Sequence, residues 1–207
     1  TTILQINSSL HGGDAQSSPL ASEFVAALGG SRERSGSTPA SDSPVIVRDL
    51  SSTPVPHLTA GRLTALSTAA AERTLDQQRI VSESDELIDE LKRADVIVIG
   101  LPMYNFGVPS TLKAYFDHVA RAGVTFRYTA DGPVGLLTGK KAYVFATRGG
   151  RYAGTAADLQ TAYVRQFLGF VGIRDVEFVY AEGLALGADE RSAAVADAVA
   201  RLGQLAA

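Results

Sequence analysis

The chain has 207 residues, 45% hydrophobic and 20% charged, with a formal net charge of -3, the mix of a single globular domain large enough to bury its own core. The absence of cysteine excludes disulfide frameworks, thiolate nucleophiles and Cys-held zinc or iron–sulfur clusters, and agrees with a reducing compartment. Mild acidity without a basic stripe argues against nucleic acid, no apolar run approaches the roughly 20 residues of a membrane span, and the first thirty residues lack a signal-peptide pattern. The expectation is therefore one cytoplasmic domain over residues 1–207, with no nucleic-acid or membrane partner.

In chain order, Ile3 to Ile6 reads as a first strand, followed by a Ser/Gly-rich loop from Asn7 to Ser18. Pro19 suits a helical first turn, and Leu20, Phe24 and Leu28 recur at helical spacing. Gly29 to Pro44 reads as a surface loop of Ser, Gly, Pro and charge, and Val45 to Val47 as a short second strand. Leu50 to Leu66, broken by Pro54 and Pro56, yields no assignment. A long helix ends in Ser82 to Ala94, with Leu87, Ile88 and Leu91 on one face. The run 95–100 (DVIVIG) is continuously apolar after its first residue, the pattern of a strand covered on both faces.

A helix carrying Leu112, Tyr115, Phe116 and Val119 follows, then an extended Val124 to Tyr128 and a turn at Asp131-Gly132. Ala142 to Ala146 is a fourth core strand and Val176 to Tyr180 a fifth. One helix carries Leu159, Tyr163, Phe167 and Phe170, and another carries Val195, Val199 and Leu202. Five strands alternating with helices imply an α/β parallel sheet covered on both faces, in either the Rossmann or the flavodoxin-like order. In such sheets ligands bind outside the carboxyl ends of the strands, so the loops after strands one, three and four are the ones to interrogate.

The first of these, 7–18, joins a strand to a helix N-terminus and is crowded with hydroxyls and glycines, a setting for a phosphate dianion. An ordinary cap from Ser17 or Ser18 explains it equally well. No G-x-G-x-x-G is present, which favours a mononucleotide over a dinucleotide. The second loop holds Pro102, Met103, Tyr104, Asn105, Phe106, Gly107, Val108 and Pro109. Two aromatics and an amide pinned by prolines suit a flat aromatic ligand, with a hydrophobic plug over the sheet end as the alternative. The third is Thr147-Arg148-Gly149-Gly150, where paired glycines let a ring approach the main chain and Arg148 places a cation beside an anionic cofactor; a plain tight turn is the alternative.

Other signals carry no chemistry. Residues 135–141 fall short of a phosphate loop because Val134 and Lys141 stand where Gly and Ser or Thr are required. His11, His57 and His118 show no metal-ligand spacing and no G-x-S-x-G elbow accompanies them, so no metal site is expected. His118 reads as structural or solvent-facing.

The segments PMYNF (102–106), LKAYFD (112–117), ARAGVTFRY (120–128), GKK (139–141), RGG (148–150), FLGF (167–170) and AEG (181–183) together resemble the FMN-dependent NADH-azoreductase family, which overlaps with the NAD(P)H quinone reductases. The likeness covers nearly the whole chain. It implies a flavodoxin-like sheet of order 2-1-3-4-5 and a homodimer with FMN near the interface. It places the FMN phosphate on Ser9, Ala15, Gln16 and Ser17, and the ring against Pro102, Met103, Tyr104, Asn105, Phe106, Thr147, Arg148, Gly149 and Gly150. Phe106, Tyr128 and Phe170 match positions lining the substrate pocket. Ala15 stands where the family often has Ser, Thr147 replaces a Ser, and residues 29–44 have no clear counterpart.

The implied activity is a ping-pong, two-electron reduction of quinones and azo compounds by NADH or NADPH. The cofactor carries the chemistry, so no dedicated catalytic residue is expected; Asn105, Gly149 and Gly150 tune the flavin. Two rivals stand beside it. A flavodoxin-type electron carrier would bind FMN but meet protein partners behind an acidic patch, which Arg148 opposes. A cofactor-free regulatory domain on the same fold is the third reading.

Overall fold

A computed structural model describes residues 1–11, 15–33 and 44–206. Strands β1 (Ile3–Asn7), β2 (Val45–Asp49), β3 (Val96–Pro102), β6 (Lys141–Thr147) and β7 (Asp175–Ala181) form one parallel sheet in the order β2-β1-β3-β6-β7. This is the expected 2-1-3-4-5 order of the five core strands. A separate antiparallel hairpin, β4 (Phe126–Thr129) with β5 (Gly132–Gly135), lies between β3 and β6 in sequence.

Successive side chains of the inner strands point to opposite faces, and both faces are covered. On one, Val98, Tyr143, Phe145 and Val179 pack under α1 (Ser17–Glu33) and α6 (Ala188–Ala206). On the other, Ile97, Ile99, Val144 and Phe178 pack under α3 (Leu75–Arg93), α4 (Ser110–Val119) and α5 (Leu159–Val171). This double burial is why β3 and β6 read as continuous apolar runs rather than alternating ones. Among the described residues no helix is long and apolar enough to cross a membrane.

Several boundaries differ from the sequence reading. Helix α1 runs through Gly29 and Gly30 to Glu33, so residues 29–33 are helical where the sequence suggested a loop; the rest of the expected loop, residues 34–43, lies outside the described set. Strand β2 extends to Asp49 because parallel pairing with β1 continues through Asn7↔Asp49. The unassigned stretch contains α2 (Ala60–Ser67), capped by Thr59, which accepts a hydrogen bond from the Arg62 N–H. The buried face of α5 is Gln160, Val164, Leu168 and Val171 rather than the stripe beginning at Leu159, which is 61% exposed. Tyr163, Phe167 and Phe170 are half-buried along one flank, with Phe167 stacked on Phe116 at 4.0 Å.

The hairpin strand β5 (GPVG) has little strand propensity of its own and is held by position. A Cβ on Gly135 would lie 2.1 Å from the Gly172 amide nitrogen, so only glycine lets the hairpin abut the end of α5. His118 is structural: it is fully buried, its Nδ1 lies 2.9 Å from the Ala114 carbonyl, and its Nε2 accepts from Arg62 Nε at 3.1 Å.

Candidate cofactor site

Strands β1, β3 and β6 are adjacent, and their carboxyl ends are in register, with Asn7 opposite Gly100 and Pro102 opposite Thr147. The three loops singled out by the sequence therefore meet at one edge of the sheet. Direct contacts tie them together. The Met103 N–H donates to the Thr147 carbonyl at 3.0 Å. The Tyr104 hydroxyl lies 3.2 Å from Ser9 Oγ and accepts from the Leu10 N–H at 3.2 Å.

The loop after β3 is a strained turn. Tyr104 and Gly107 exchange both backbone hydrogen bonds, at 3.2 and 3.0 Å, across Asn105 (φ 49°) and Phe106 (φ 65°). Two left-handed central residues define a type I′ turn. Asn tolerates that conformation, but Phe does so at a cost of roughly 1–2 kcal/mol. The strain displays Phe106, which is 51% exposed and meets the ring of Tyr152 edge-on at 5.7 Å.

The loop after β6 presents donors. The carbonyls of Arg148, Gly149 and Gly150 accept from the N–H groups of Leu184, Ala185 and Gly183, at 3.1, 3.0 and 2.9 Å. In a trans peptide the N–H of each following residue points opposite its preceding carbonyl. The amides of Gly149, Gly150 and Arg151 are thus turned away from the 183–185 turn, and none meets an acceptor among the described residues. A Cβ on Gly150 would approach the Tyr152 ring to 2.7–3.0 Å, so glycine is what permits this packing.

Arg148 differs from its expected role. Its side chain is fully buried and its two terminal nitrogens pair with Asp158 at 2.8 Å and Glu182 at 3.1 Å, with the guanidinium over the Tyr180 ring. Two carboxylates neutralise it, so it offers no cation to a cofactor and no longer weighs against an electron carrier. Burial pushes the Asp158 carboxyl up, but hydrogen bonds from Arg148 and Thr161 outweigh that effect and hold it below the ordinary aspartate value.

At the first loop, Ser17 and Ser18 are not caps: they lie inside the first turn of α1, and both hydroxyl oxygens are buried without a hydrogen-bond partner among the described residues. Ser9 is buried, Ala15 is half-buried and Gln16 is exposed; Gly12, Gly13 and Asp14 lie outside the described residues. Tyr128 (73% exposed) and Phe170 gather around Phe126, at 5.4 and 4.3 Å. They form an aromatic cluster of their own, whereas the ring partner of Phe106 is Tyr152.

The sequence pointed to exposed N–H groups at Gly149 and Gly150 but gave no role to Gln160, to the Arg151 amide or to Glu182, which entered only within the AEG segment. Gln160 lies among apolar neighbours on α5, and Glu182 reads as an ordinary post-strand charge. The donor run depends on carbonyls being anchored from a turn more than thirty residues away.

A doubly covered parallel sheet with unpaired amides and orphaned hydroxyls at its carboxyl edge is a nucleotide-binding architecture. A family model described as a flavodoxin-like fold matches residues 1–206. The FMN-dependent NADH:quinone oxidoreductase 6 of Burkholderia lata is 56% identical over 198 residues, 96% of each chain. The FMN-dependent NADH:quinone oxidoreductase of Cellvibrio japonicus is 52% identical over 195 residues, 94% of each. Among solved structures, an azoreductase from Bacillus anthracis str. Sterne superposes with a TM-score of 0.87 at 26% identity, covering 100% of this chain and 98% of that one. An FMN-dependent NADH-azoreductase from Bacillus anthracis str. Ames Ancestor, solved in complex with FMN, does so with a TM-score of 0.84 at 26% identity, covering 100% of both. The chain belongs to the flavodoxin-like family of FMN-dependent NADH:quinone oxidoreductases and azoreductases.

Proposed function

We propose that the protein is an FMN-dependent oxidoreductase that uses NADH to reduce quinones and azo compounds, working as a cytoplasmic homodimer of single-domain subunits. The observation that carries the site assignment is the run of three unpaired backbone amides, Gly149 to Arg151, facing away from their anchoring turn. The residues present fit FMN: orphaned buried hydroxyls on Ser17 and Ser18 lie at a helix N-terminus, and a glycine-bounded donor row lies two strands away.

When bound, FMN supplies the two-electron redox chemistry, in ping-pong fashion between NADH and a quinone or azo acceptor. The N-terminal turn of α1, with Ser9, Ala15, Gln16 and Ser17, would hold the phosphate, since helix N–H groups and the helix dipole both favour an anion there. Pro102, Met103, Tyr104, Asn105 and Phe106 would flank the ring on one side, and Thr147, Arg148, Gly149 and Gly150 on the other, Arg148 through its main chain. Fixed amide donors stabilise developing negative charge without reorganising. Phe106 offers an exposed aromatic face to flat acceptors. Tyr128 and Phe170 of a second copy would close the pocket, which gives their separate cluster, with Tyr128 exposed at its edge, a use.

The relatives favour this reading over a flavodoxin-type carrier, because the named homologues act on NADH and quinones. The test is the visible spectrum of apoprotein titrated with FMN, then anaerobic NADH, then a quinone. Uptake of FMN, bleaching by NADH and recovery with quinone are expected. Bound flavin that NADH cannot bleach would favour the carrier, and failure to bind FMN would overturn the flavin reading.

A further inference from the structure

Glu182 follows β7 directly, and one of its carboxylate oxygens, Oε1, accepts three hydrogen bonds. They come from Arg148 Nη1 at 3.1 Å, the Tyr152 N–H at 2.9 Å and the Ala153 N–H at 2.9 Å. Its side chain is only 15% exposed, so these bonds face little competition from water. The guanidinium it touches keeps a second carboxylate, Asp158, at 2.8 Å. The charge of Arg148 is therefore compensated whether or not Glu182 remains.

The consequence for the loop after β6 lies in its main chain. The carbonyls of Arg148, Gly149 and Gly150 are fixed by the turn 183–185, while the amides of Tyr152 and Ala153 are drawn back to Glu182. Between these two sets of anchors, only the amides of Gly149, Gly150 and Arg151 are left facing the other way. The same anchoring holds Tyr152, whose ring covers Gly150 and meets Phe106. Without it, a segment containing two glycines has the freedom to turn those amides elsewhere.

We propose that Glu182 is a positioning residue for the cofactor: its carboxylate fixes the Arg148–Ala153 turn so that three backbone donors stay aimed at the flavin ring. The proposal rests on the FMN reading given above. A role through geometry and a role through charge predict opposite orders for two conservative variants. Glu182→Asp keeps the charge but shortens the arm by about 1.5 Å, beyond what a hydrogen bond of 2.9 Å tolerates. Glu182→Gln keeps the reach and an accepting oxygen but loses the charge.

Two readouts are taken on the full-length chain. In apoprotein, amide hydrogen exchange at Tyr152 and Ala153 should speed up at least tenfold in E182D and stay near wild type in E182Q. By quenching of FMN fluorescence, the Kd for FMN should rise about tenfold in E182D (about 1.4 kcal/mol) and stay within threefold in E182Q. Wild-type affinity in E182D, or a greater loss in E182Q than in E182D, overturns the proposal. Should E182D fail to fold, E182Q alone decides: a Kd more than tenfold above wild type overturns it. Wild-type apoprotein that takes up no FMN overturns the flavin reading and the purpose assigned to Glu182, and the exchange data then report separately on whether Glu182 holds the turn.

Discussion

The side-chain amide nitrogen of Gln160 lies 2.9 Å from the carbonyl oxygen of Pro102. The same nitrogen donates to the carbonyl of Gly107, also at 2.9 Å, so one buried amide closes both ends of the strained 102–107 loop. Its own oxygen has no partner among the described residues, which identifies the donor half as the part the fold uses. Gln160→Leu keeps the volume and abolishes both bonds, taking the side-chain donor from the Pro102 carbonyl and leaving the Gly107 carbonyl with only the Tyr104 N–H. It should lower stability by about 1–3 kcal/mol in urea unfolding and weaken FMN binding, because the turn bearing Asn105 and Phe106 loses its brace.

Phe106 gives the opposite separation of effects. Its φ of 65° suits glycine, and half of its surface is already in water. Phe106→Gly should relieve left-handed strain and, after the entropy cost of glycine, raise stability by about 0.5–1 kcal/mol. Turnover of flat acceptors should fall nonetheless. Thermal unfolding and steady-state kinetics on the same preparation test the pair; a loss of stability would show that the ring packs more than it displays.

The Arg148–Asp158 pair sets an acid limb. Because the folded-state pKa of Asp158 is held below its ordinary value, the carboxylate contributes stability that is complete above the unfolded pKa near 4 and is lost as pH falls through the folded value. Asp158→Asn should cost about 1.5–3 kcal/mol at pH 7, since Asp158 is only 6% exposed. The stability curves of variant and wild type should converge at the acid end; a constant gap across the range would refute the assignment.

Ala15 is the position where the chain departs from its resemblance at the phosphate loop. Ala15→Ser adds a hydroxyl donor beside the N-terminus of α1. A hydrogen bond to a charged group is worth about 1.5–3 kcal/mol, so FMN affinity should rise tenfold or more by fluorescence titration. An unchanged Kd would place the phosphate away from this residue.

The doubly covered parallel sheet was legible because burial on both faces leaves an unbroken apolar signature in Ile97–Ile99 and Ala142–Ala146. Its 2-1-3-4-5 order came from the family resemblance, whereas the loops after strands one, three and four were singled out by the parallel α/β pattern itself. Interactions set by distant backbone were not legible. β5 exists through pairing with β4 and the close approach at Gly172. Gln160 faces inward to reach carbonyls over fifty residues away. Arg148 looked like a cofactor-facing cation because neither Asp158 nor Glu182 is recognisable from sequence as its partner.

The three amides after β6 carry no ionisable proton and no net charge. What they offer an electron-rich ring edge is therefore the same in mild acid and mild base, and salt has little net charge there to screen. On the proposed assignment the ring is gripped by orientation instead of ionisation, and these donors add no pH dependence of their own to turnover.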